Sequence, residues 1–281
     1  MPVALAIAGS DSGGGAGILA DLKTFAALGV HGASAIACLT AQNPKGVLAI
    51  EPCPPKMFRR QIEAIFEELN PRAVKTGMLY SAENVSVVTK FFGRDAALRR
   101  PRTARRAVPA LIVDPVLVST SETELLQPKA LKILKGKLLP LATLVTPNLF
   151  EAEILTGLKI SSIEQMRVAA KKIHSQFGCA VLVKGGHLKN GREAADIFFD
   201  GKNELILSAP FVKGIRTHGT GCVYSAAICA ALALGNPLPR AVQIGKKFVT
   251  SAIADSYRIG SHFALGEVAP AALKKSGRRN P

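Results

Sequence analysis

Apolar and polar positions divide the chain into two kinds of alternating segment. Short continuous apolar runs, such as Val3–Ala8 and Ala180–Val183, are typical of buried strands. Longer segments, such as Ala16–Leu28 and Lys56–Leu69, space their apolar residues three or four positions apart, which predicts amphipathic helices. Because strands and helices alternate along most of the chain, the pattern predicts an α/β fold, with a mostly parallel central sheet and helices on both faces.

The remaining elements follow the same two patterns. Further strands are predicted at Ala33–Thr40, Ala73–Lys75, Ala110–Val113 and Leu141–Val145, with a hairpin formed by Ala194–Phe199 and Glu204–Ser208. Further helices are predicted at Glu83–Phe91, Pro128–Leu138, about 148–156, 162–177, Gly219–Leu234 and Leu238–Tyr257. No linker divides these elements, so we expect one domain over residues 1–281, with a frayed basic tail at about 270–281.

The composition is that of a folded globular protein, with 48% hydrophobic and 20% charged residues. No apolar run reaches the roughly 18 residues of a membrane span, and Met1–Ser10 is too short and lacks the basic start of a signal peptide. We therefore expect no membrane partner and a cytoplasmic location. The five cysteines show no Cys-x-x-Cys spacing, which argues against a disulfide framework and a structural zinc site.

The net charge of +16 raises the question of nucleic-acid binding. Much of the excess lies in Arg99–Arg106, a Pro-containing stretch that looks like a loop insertion, and in the tail Lys274–Arg279. The chain has no Trp and only three Tyr, so a stacking platform for bases is not expected. Solvated loops are the favoured interpretation, and nucleic-acid contact is only a side hypothesis.

The first glycine-rich segment, Gly9–Gly15, follows the first strand. It is not a Walker A loop, because Gly14 is followed by Gly15-Ala16 instead of Lys and Ser or Thr. Gly15–Ala20 fits the loose dinucleotide pattern, but the acidic residue expected at the end of the second strand is missing. We reject both nucleotide motifs for this segment.

A second glycine-containing segment, Thr217–Cys222, lies directly before the apolar helix Val223–Leu234. A helix start combines backbone N–H donors with the positive end of the helix dipole, so this segment suits an anion. The same dipole favours a thiolate, so we expect Cys222 to ionise more readily than an ordinary cysteine. From this segment alone, a glycine loop beside a buried cysteine is an equally good explanation.

Seven segments together carry a family resemblance. They occur in the order Gly9–Thr24, Ala41–Asn43, Lys75–Leu79, Val113–Val116, Thr146–Ala152, Val183–His187 and Thr217–Cys222. In this order they resemble the hydroxymethylpyrimidine/phosphomethylpyrimidine kinases of thiamine biosynthesis, which belong to the ribokinase superfamily. The resemblance extends from Val3 to about Asp255 and implies a ribokinase-like three-layer sandwich.

The resemblance also implies an activity. Members of the family use ATP and Mg²⁺ to phosphorylate the hydroxymethyl group of 4-amino-5-hydroxymethyl-2-methylpyrimidine, and then convert the monophosphate to the pyrophosphate. The implied partners are therefore this small pyrimidine and ATP. A homodimer is left open.

The catalytic residues implied by the resemblance lie in the second glycine segment. Cys222 takes the place of an aspartate base found in most ribokinase relatives. The amides of Gly219, Thr220 and Gly221, together with that of Cys222, are expected to hold the charge that develops on the transferred phosphoryl group.

The nucleotide and metal residues come from other segments. The resemblance implies Lys184, Asp114, Asn148 and Thr217 at the ATP phosphates, and Glu151 with Asn148 at Mg²⁺, largely through water. Without the resemblance, a simpler interpretation would be favoured: Asn148 caps a helix whose third residue is Glu151, and Lys184 is a solvated strand end.

The implied substrate residues are Gln42, Asp21, Met78 and Gly9. A glutamine amide offers a donor and an acceptor together, which matches the ring nitrogen and the exocyclic amine of an aminopyrimidine. Asp21 is expected at the hydroxymethyl end and Met78 at the ring face, although Met78 taken alone is as well explained by core filling.

Two alternatives and one departure from the family accompany this hypothesis. A pyridoxal or pyridoxine kinase of the same superfamily is the nearest alternative, and Gln42 with Met78 favours the pyrimidine over it. A non-catalytic phosphate- or nucleic-acid-binding protein is the other, but the implied catalytic residues are all present. The departure is Glu122, which stands where the family commonly has glycine, in a loop near the phosphates.

Overall fold

A computed structural model describes residues 1–93, 108–117, 125–186, 188, 193–212 and 218–266. Twelve strands are found in these ranges: β1 (Val3–Ala8), β2 (His31–Ile36), β3 (Cys38–Asn43), β4 (Gly46–Pro52), β5 (Ala73–Thr76), β6 (Ala110–Val113), β7 (Leu144–Val145), β8 (Ala180–Lys184), β9 (Glu193–Phe199), β10 (Glu204–Pro210), β11 (Tyr257–Ile259) and β12 (His262–Ala264). The α-helices within the same ranges are α1 (Gly17–Ala27), α2 (Pro55–Glu68), α3 (Ala82–Phe92), α4 (Pro128–Ile133), α5 (Leu149–Thr156), α6 (Ile163–Phe177), α7 (Thr220–Ala233) and α8 (Leu238–Ala254).

Eight of the described strands form one sheet in the order β10-β9-β8-β7-β6-β5-β1-β2. The six strands from β8 to β2 are parallel, and β9 and β10 continue the sheet antiparallel at one edge. The chain leaves β1 for β2 on one side and later returns to β5 on the other, so the strand order reverses next to β1. In open α/β sheets, such a reversal opens a crevice at the carboxyl ends of the strands.

The two faces of the sheet are covered by different helices. Leu5 and Ile7 belong to the core that packs against α2 to α6, whereas Ala4 and Ala6 belong to the core shared with α1, α7 and α8. This alternation along β1 is the two-residue period of a strand buried on both faces. The α/β prediction and its three-layer arrangement are confirmed. The single domain over residues 1–281 stays a prediction.

The predicted strand Ala33–Thr40 is wrong in its extent. The structure divides it at Ala37 into β2, which stays in the large sheet, and β3, which leaves it and pairs with β4 as a separate two-stranded hairpin. The sequence analysis did not predict β4. A continuous apolar run does not reveal where a chain exchanges one strand partner for another, because both pairings satisfy the same backbone groups.

Two predicted helices end differently. Pro128–Leu138 begins as α4, but Leu134–Leu138 forms a wider turn and Leu139–Leu141 a tighter one, which shortens the next strand to β7. Pro140 lacks the N–H group that a regular helix needs there. The last helix ends at Ala254 instead of Tyr257, and Tyr257 begins the hairpin of β11 and β12.

Several expectations lie outside the described residues. These are the basic clusters Arg99–Arg106 and Lys274–Arg279, the departure at Glu122, and the phosphate contact of Thr217. Among the helices that the structure describes, none combines the length and apolar character needed to cross a membrane.

Candidate functional site

A cavity of about 170 Å³ lies at the carboxyl ends of β1, β5, β6 and β8, where the strand order reverses. The loops after these strands, the β3–β4 hairpin and the start of α7 enclose it. It is smaller than the roughly 300–1,000 Å³ of drug-sized pockets. Its size suits one small ring.

Most of the predicted site residues meet at this cavity. The ones that line it are Gly9, Gln42, Met78, Asp114, Asn148, Glu151, Lys184, Gly219, Gly221 and Cys222. Thr220 is the first residue of α7, between two of them. Asp21 does not line the cavity.

Asp11 holds the first glycine loop in place. Its carboxylate accepts hydrogen bonds from the amides of Gly13 (2.8 Å), Gly15 (3.1 Å) and Ala16 (2.7 Å). Burial alone would raise the pKa of Asp11, but the hydrogen bonds from His218 and from the loop amides outweigh it and lower that pKa. Asp11 is therefore an ionised anchor for the loop.

The two glycine loops touch each other at Gly219. This residue has φ +85°, and a Cβ there would overlap the carbonyl oxygen of Gly15. Both observations require glycine at this position. Gly219 is also the N-cap of α7 and has no side chain to cap it, so the start of the helix faces the cavity with its backbone.

The Cys222 thiol lies at this helix start, half-buried, and its sulfur accepts a hydrogen bond from the Gly17 amide. Burial raises the pKa of Cys222 above its ordinary value. The ammonium of Lys75 acts in the opposite direction but does not compensate, and Asp21 adds to the rise. The expectation of easier ionisation is therefore wrong, because removal from water costs the thiolate more than the surrounding positive charge returns.

Asp21 and Lys75 form an ion pair beneath the cavity. Lys75 Nζ lies 2.6 Å and 2.8 Å from the two carboxylate oxygens of Asp21, and both side chains are fully buried. Burial raises the pKa of Asp21 to about 6 against the attraction of Lys75, so the carboxylate is charged at neutral pH. The expected substrate contact of Asp21 is thus corrected: Asp21 neutralises Lys75, and Lys75 is the one that lines the cavity.

Lys184 and Asp114 form a second ion pair, on the side of β6 and β8. Lys184 Nζ lies 2.9 Å from Oδ1 of Asp114, whose two oxygens also accept from Thr146 Oγ1 and Ser225 Oγ, each at 3.1 Å. Burial alone would lower the pKa of Lys184, but Asp114 and Glu151 raise it, so the ammonium stays charged. Lys184 is therefore not a solvated strand end.

Asn148 and Glu151 form a complete capping box at the start of α5. Asn148 Oδ1 accepts from the Glu151 amide, and Glu151 Oε2 accepts from the Asn148 amide, both at 2.9 Å. Glu151 Oε1 accepts from the Leu117 amide at 3.2 Å. Burial raises the pKa of Glu151, with Lys184 opposing the rise. The capping interpretation holds, and both residues also line the cavity.

A bulge in the β3–β4 hairpin lies next to Gln42, which lines the cavity. The pairing of β3 with β4 shifts by one residue between Ala41 and Gln42. Ser12 fixes the Gln42 backbone through two hydrogen bonds, of 2.7 Å and 2.8 Å. The side-chain amide contacts His218 Nε2 at 2.9 Å and Thr40 Oγ1 at 3.2 Å.

Apolar side chains also line the cavity. Met78 is 9% exposed and packs with Cys38 and Leu125. Gly9 permits this packing, because a Cβ there would lie only 2.7 Å from the Cys38 sulfur and 3.5 Å from the Met78 sulfur. A flat ring would therefore contact backbone and thioether here.

The sequence analysis gave no role to Asp11, Lys75 and His218. Each lies inside one of the segments that carry the family resemblance, which was the available signal. Lys75 and His218 depend on partners 54 and 207 positions away in the chain, so local spacing could not identify them. Asp11 also holds loop amides two to five positions further along, a local contact that the sequence analysis missed.

A larger groove of about 430 Å³ runs between β10 and α8, and none of the predicted site residues lines it. Lys246 lies there, but its ammonium is already held by Asp196 and by the Ala194 carbonyl, each at 2.8 Å. We therefore assign the chemistry to the smaller cavity, where charged side chains, a thiol and a helix start converge.

Comparisons with known proteins identify relatives of this chain. A sequence model of the family described as phosphomethylpyrimidine kinase matches residues 11–266. A hydroxymethylpyrimidine/phosphomethylpyrimidine kinase of Rhizobium meliloti is 49% identical over 261 residues, covering 92% of this chain and 93% of that protein. A thiamine biosynthesis bifunctional protein of Geobacter sulfurreducens is 44% identical over 256 residues, covering 91% of this chain and 50% of that protein.

A solved structure is similar over nearly the whole fold. It is an ADP complex of a pyridoxal kinase from Bacillus subtilis, with a TM-score of 0.85 and 34% sequence identity. The match covers 96% of this chain and 98% of that chain.

Proposed function

This chain belongs to the phosphomethylpyrimidine kinase family, and from that premise we propose that it phosphorylates 4-amino-5-hydroxymethyl-2-methylpyrimidine with ATP and then phosphorylates the monophosphate to the pyrophosphate. The pathway would be thiamine biosynthesis, as in the name of the Geobacter relative. One observation carries the proposal: Gln42, Cys222 and the Asp114–Lys184 pair line the same small cavity.

The proposed substrate site is the part of the cavity between Gln42 and Met78. The Gln42 amide would pair with the ring nitrogen and the exocyclic amine, while Gly9 and Met78 contact the ring face. Asp11 and Ser12 support this arrangement from behind, because they fix the glycine loop and the backbone of Gln42.

In the first step, the hydroxymethyl oxygen attacks the γ-phosphorus of ATP. Its proton passes to the thiolate form of Cys222, a new O–P bond forms, and the bond to the β-phosphate oxygen breaks to release ADP. Cys222 is suited to this role by its place at the start of α7, next to the backbone of Gly219 and Gly221. The raised pKa of its thiol also makes it a stronger base once ionised.

In the second step, the acceptor is an oxygen of the monophosphate. This oxygen is already ionised near neutral pH, so no base is needed. The helix start at Gly219–Cys222 and the ammonium of Lys184 would hold the transferred phosphoryl group in both steps. Lys75, which lines the same cavity, is neutralised by Asp21.

Mg²⁺ fits the residues present. Across the described ranges, no cluster of three His, Cys, Asp or Glu side chains could enclose a metal, but Mg²⁺ keeps several waters and needs only one or two carboxylates besides phosphates. Asp114 and Glu151, with Asn148, would hold it largely through water. When bound, it would neutralise charge on the nucleotide phosphates.

A pyridoxal kinase is the second candidate, because the Bacillus subtilis neighbour with that name superposes over 96% of this chain. The two candidates differ in what Gln42 must recognise. Pyridoxal has no amine next to its ring nitrogen, so only the aminopyrimidine can use the donor and the acceptor of the amide together.

A coupled assay of ADP release with Mg·ATP tests the proposal. The purified protein is offered the hydroxymethylpyrimidine, its monophosphate and pyridoxal in parallel, with and without a chelator of Mg²⁺. We expect turnover of both pyrimidines with a higher kcat/KM than for pyridoxal, and loss of all turnover with the chelator. Turnover of pyridoxal alone would establish the second candidate instead.

A further inference from the structure

The hydrogen bonds around His218 cannot all form as the side chains stand. His218 Nε2 lies 3.1 Å from Asp11 Oδ2 and 2.9 Å from Nε2 of Gln42. Asp11 is ionised and can only accept, so its carboxylate would repel a bare lone pair on this ring nitrogen, and the nitrogen therefore carries a hydrogen. A nitrogen that carries a hydrogen cannot also accept one from an amide NH₂ group.

Thr40 presents the same conflict at the other end of the Gln42 amide. Its hydroxyl has one hydrogen but faces two acceptors, the Ser10 carbonyl at 2.9 Å and Gln42 Oε1 at 3.2 Å. The buried Asp11 carboxylate is held by the amides of the glycine loop, and Ser10 is tied to Thr40 by a second hydrogen bond, from the Thr40 amide to Ser10 Oγ at 3.0 Å. Neither the Asp11 carboxylate nor the Ser10 carbonyl is therefore free to turn away. Each conflict therefore has to be resolved at Gln42.

A half-turn of the Gln42 amide about its last bond removes the contact between two donors at His218 and the demand for two hydrogens at Thr40. Its oxygen then shares the N–H of His218 with Asp11 Oδ2. Its NH₂ group donates to Thr40 Oγ1, whose own hydrogen goes to the Ser10 carbonyl. The oxygen and nitrogen of an amide have nearly the same shape, so the hydrogen-bond network decides which end points where.

We propose that Asp11 and His218 fix the orientation of the Gln42 amide and thereby determine which substrate edge the cavity accepts. In the fixed orientation, the amide keeps one free N–H and one free lone pair, in a set order. A ring nitrogen that accepts, next to an amine that donates, matches that order. The 4-oxo form of the same ring has both groups reversed, with an N–H next to a carbonyl. His218 is a positioning residue here, because it acts through Gln42.

This inference rests on the proposed function and predicts selectivity, not only activity. His218→Leu removes the N–H that holds the amide oxygen, so the Gln42 amide can turn and pair with either the 4-amino or the 4-oxo ring. His218→Gln can keep an N–H near the place of Nε2. Replacement of a residue with a purely structural role would lower kcat/KM for both substrates alike and leave their ratio unchanged.

The test compares the 4-amino compound with its 4-oxo analogue, 5-hydroxymethyl-2-methylpyrimidin-4-one. The kcat/KM ratio and, without ATP, the Kd ratio from calorimetry are measured for the parent protein, His218→Leu and His218→Gln. We expect the parent to prefer the amino compound by at least ~10²-fold, because a site built around defined hydrogen bonds rejects an analogue that leaves them unpaired. In His218→Leu the ratio should fall at least ~10-fold, and in His218→Gln it should stay near the parent value.

The outcomes separate this inference from the function. If the parent phosphorylates neither ring, the proposed function fails. If the parent phosphorylates the amino compound but His218→Leu keeps its ratio, or His218→Gln loses it, the positioning role of His218 is wrong. For a variant too slow to assay, the ratio of the two Kd values distinguishes the same outcomes.

Discussion

At the scale of single residues, burial of the Cys222 thiol determines the fraction of molecules whose thiolate can accept a proton. The main favourable charge for its thiolate is Lys75, which already faces Asp21. Its pKa is raised, so most molecules carry the neutral thiol at neutral pH. The two proposed steps should therefore depend differently on this residue.

Cys222→Ala should impair phosphorylation of the alcohol far more than phosphorylation of the monophosphate. A general base is worth roughly 10²–10⁴-fold, and only the alcohol has a proton to lose. The measurement is kcat/KM for each substrate, with Cys53→Ala as the control, because Cys53 is another partly exposed thiol that does not line the cavity. Equal losses in both steps would mean that the thiol only shapes the loop.

The pH dependence of the alcohol step should follow the same thiol. Below its raised pKa, the thiolate fraction of Cys222 increases about tenfold for each pH unit. We therefore expect kcat/KM for the alcohol to rise through about pH 7–9, while the monophosphate step stays nearly flat because that acceptor is already ionised at about pH 7. In Cys222→Ala the rise should disappear. A flat profile for the alcohol in the parent protein would contradict a base at Cys222.

At the scale of elements, the site depends on two glycine loops that hold the start of α7 against the start of α1. Gly219 contacts the Gly15 carbonyl, and Gly17 donates to Cys222. The apolar helix α7 can approach the sheet closely because the facing residues Ala4, Ala6 and Ala73 are small. The position of the helix start is thus set by backbone contacts at one end and by alanine packing along its length.

Gly219→Ala should damage both phosphorylation steps and the stability of the fold. The added Cβ would overlap the Gly15 carbonyl, and the alanine would have to adopt a positive φ. We therefore expect α7 to move away from the cavity. We expect a loss of more than about 1 kcal/mol in the free energy of unfolding and a fall in kcat/KM for both substrates.

Gly235→Ala is the matched control for Gly219→Ala. Gly235 follows the far end of α7, has φ +90° and has no atom within 4 Å of a Cβ, so it carries the conformational cost without an overlap. Its stability should fall by about 1 kcal/mol while kcat/KM is unchanged. If Gly219→Ala behaved like this control, the contact between the two loops would have no role in the site.

At the scale of the whole molecule, the buried pair of Asp21 and Lys75 joins α1 to the central strand β5 across 54 positions of sequence. Both side chains are fully buried. Removal of one partner leaves a charge without a counter-charge in the interior, which typically costs about 3–5 kcal/mol. The pair therefore links the stability of the fold to the charge beneath the cavity.

Lys75→Met should destabilise the protein by about 3–5 kcal/mol at about pH 8, measured by denaturant unfolding. The loss should shrink toward about pH 5, because Asp21, with a pKa of about 6 even beside Lys75, then takes up a proton and no longer needs a counter-charge. The double variant Asp21→Leu with Lys75→Met removes both charges and should recover much of the loss. A single variant as stable as the parent at the higher pH would show that the pair is not ionised.

The sequence by itself determined the features that local rules control. The alternation of apolar runs and amphipathic segments indicated the α/β fold, because each period reflects the geometry of one element. The Asn148–Glu151 capping box is likewise a local matter of neighbouring residues. The glycine segments were identified as loops before helices for the same reason, and the order of the seven segments pointed to the family that the comparisons then showed.

Only the tertiary structure decided which side chains meet and how much water reaches them. The bulge before Gln42, the pairing of Asp21 with Lys75 and the contact of Asp11 with His218 all depend on segments that the chain brings together in space. Burial of the Cys222 thiol reversed the expected direction of its pKa shift for the same reason. Desolvation and long-range hydrogen bonding depend on the packing of the whole fold, and no local spacing of residues contains that information.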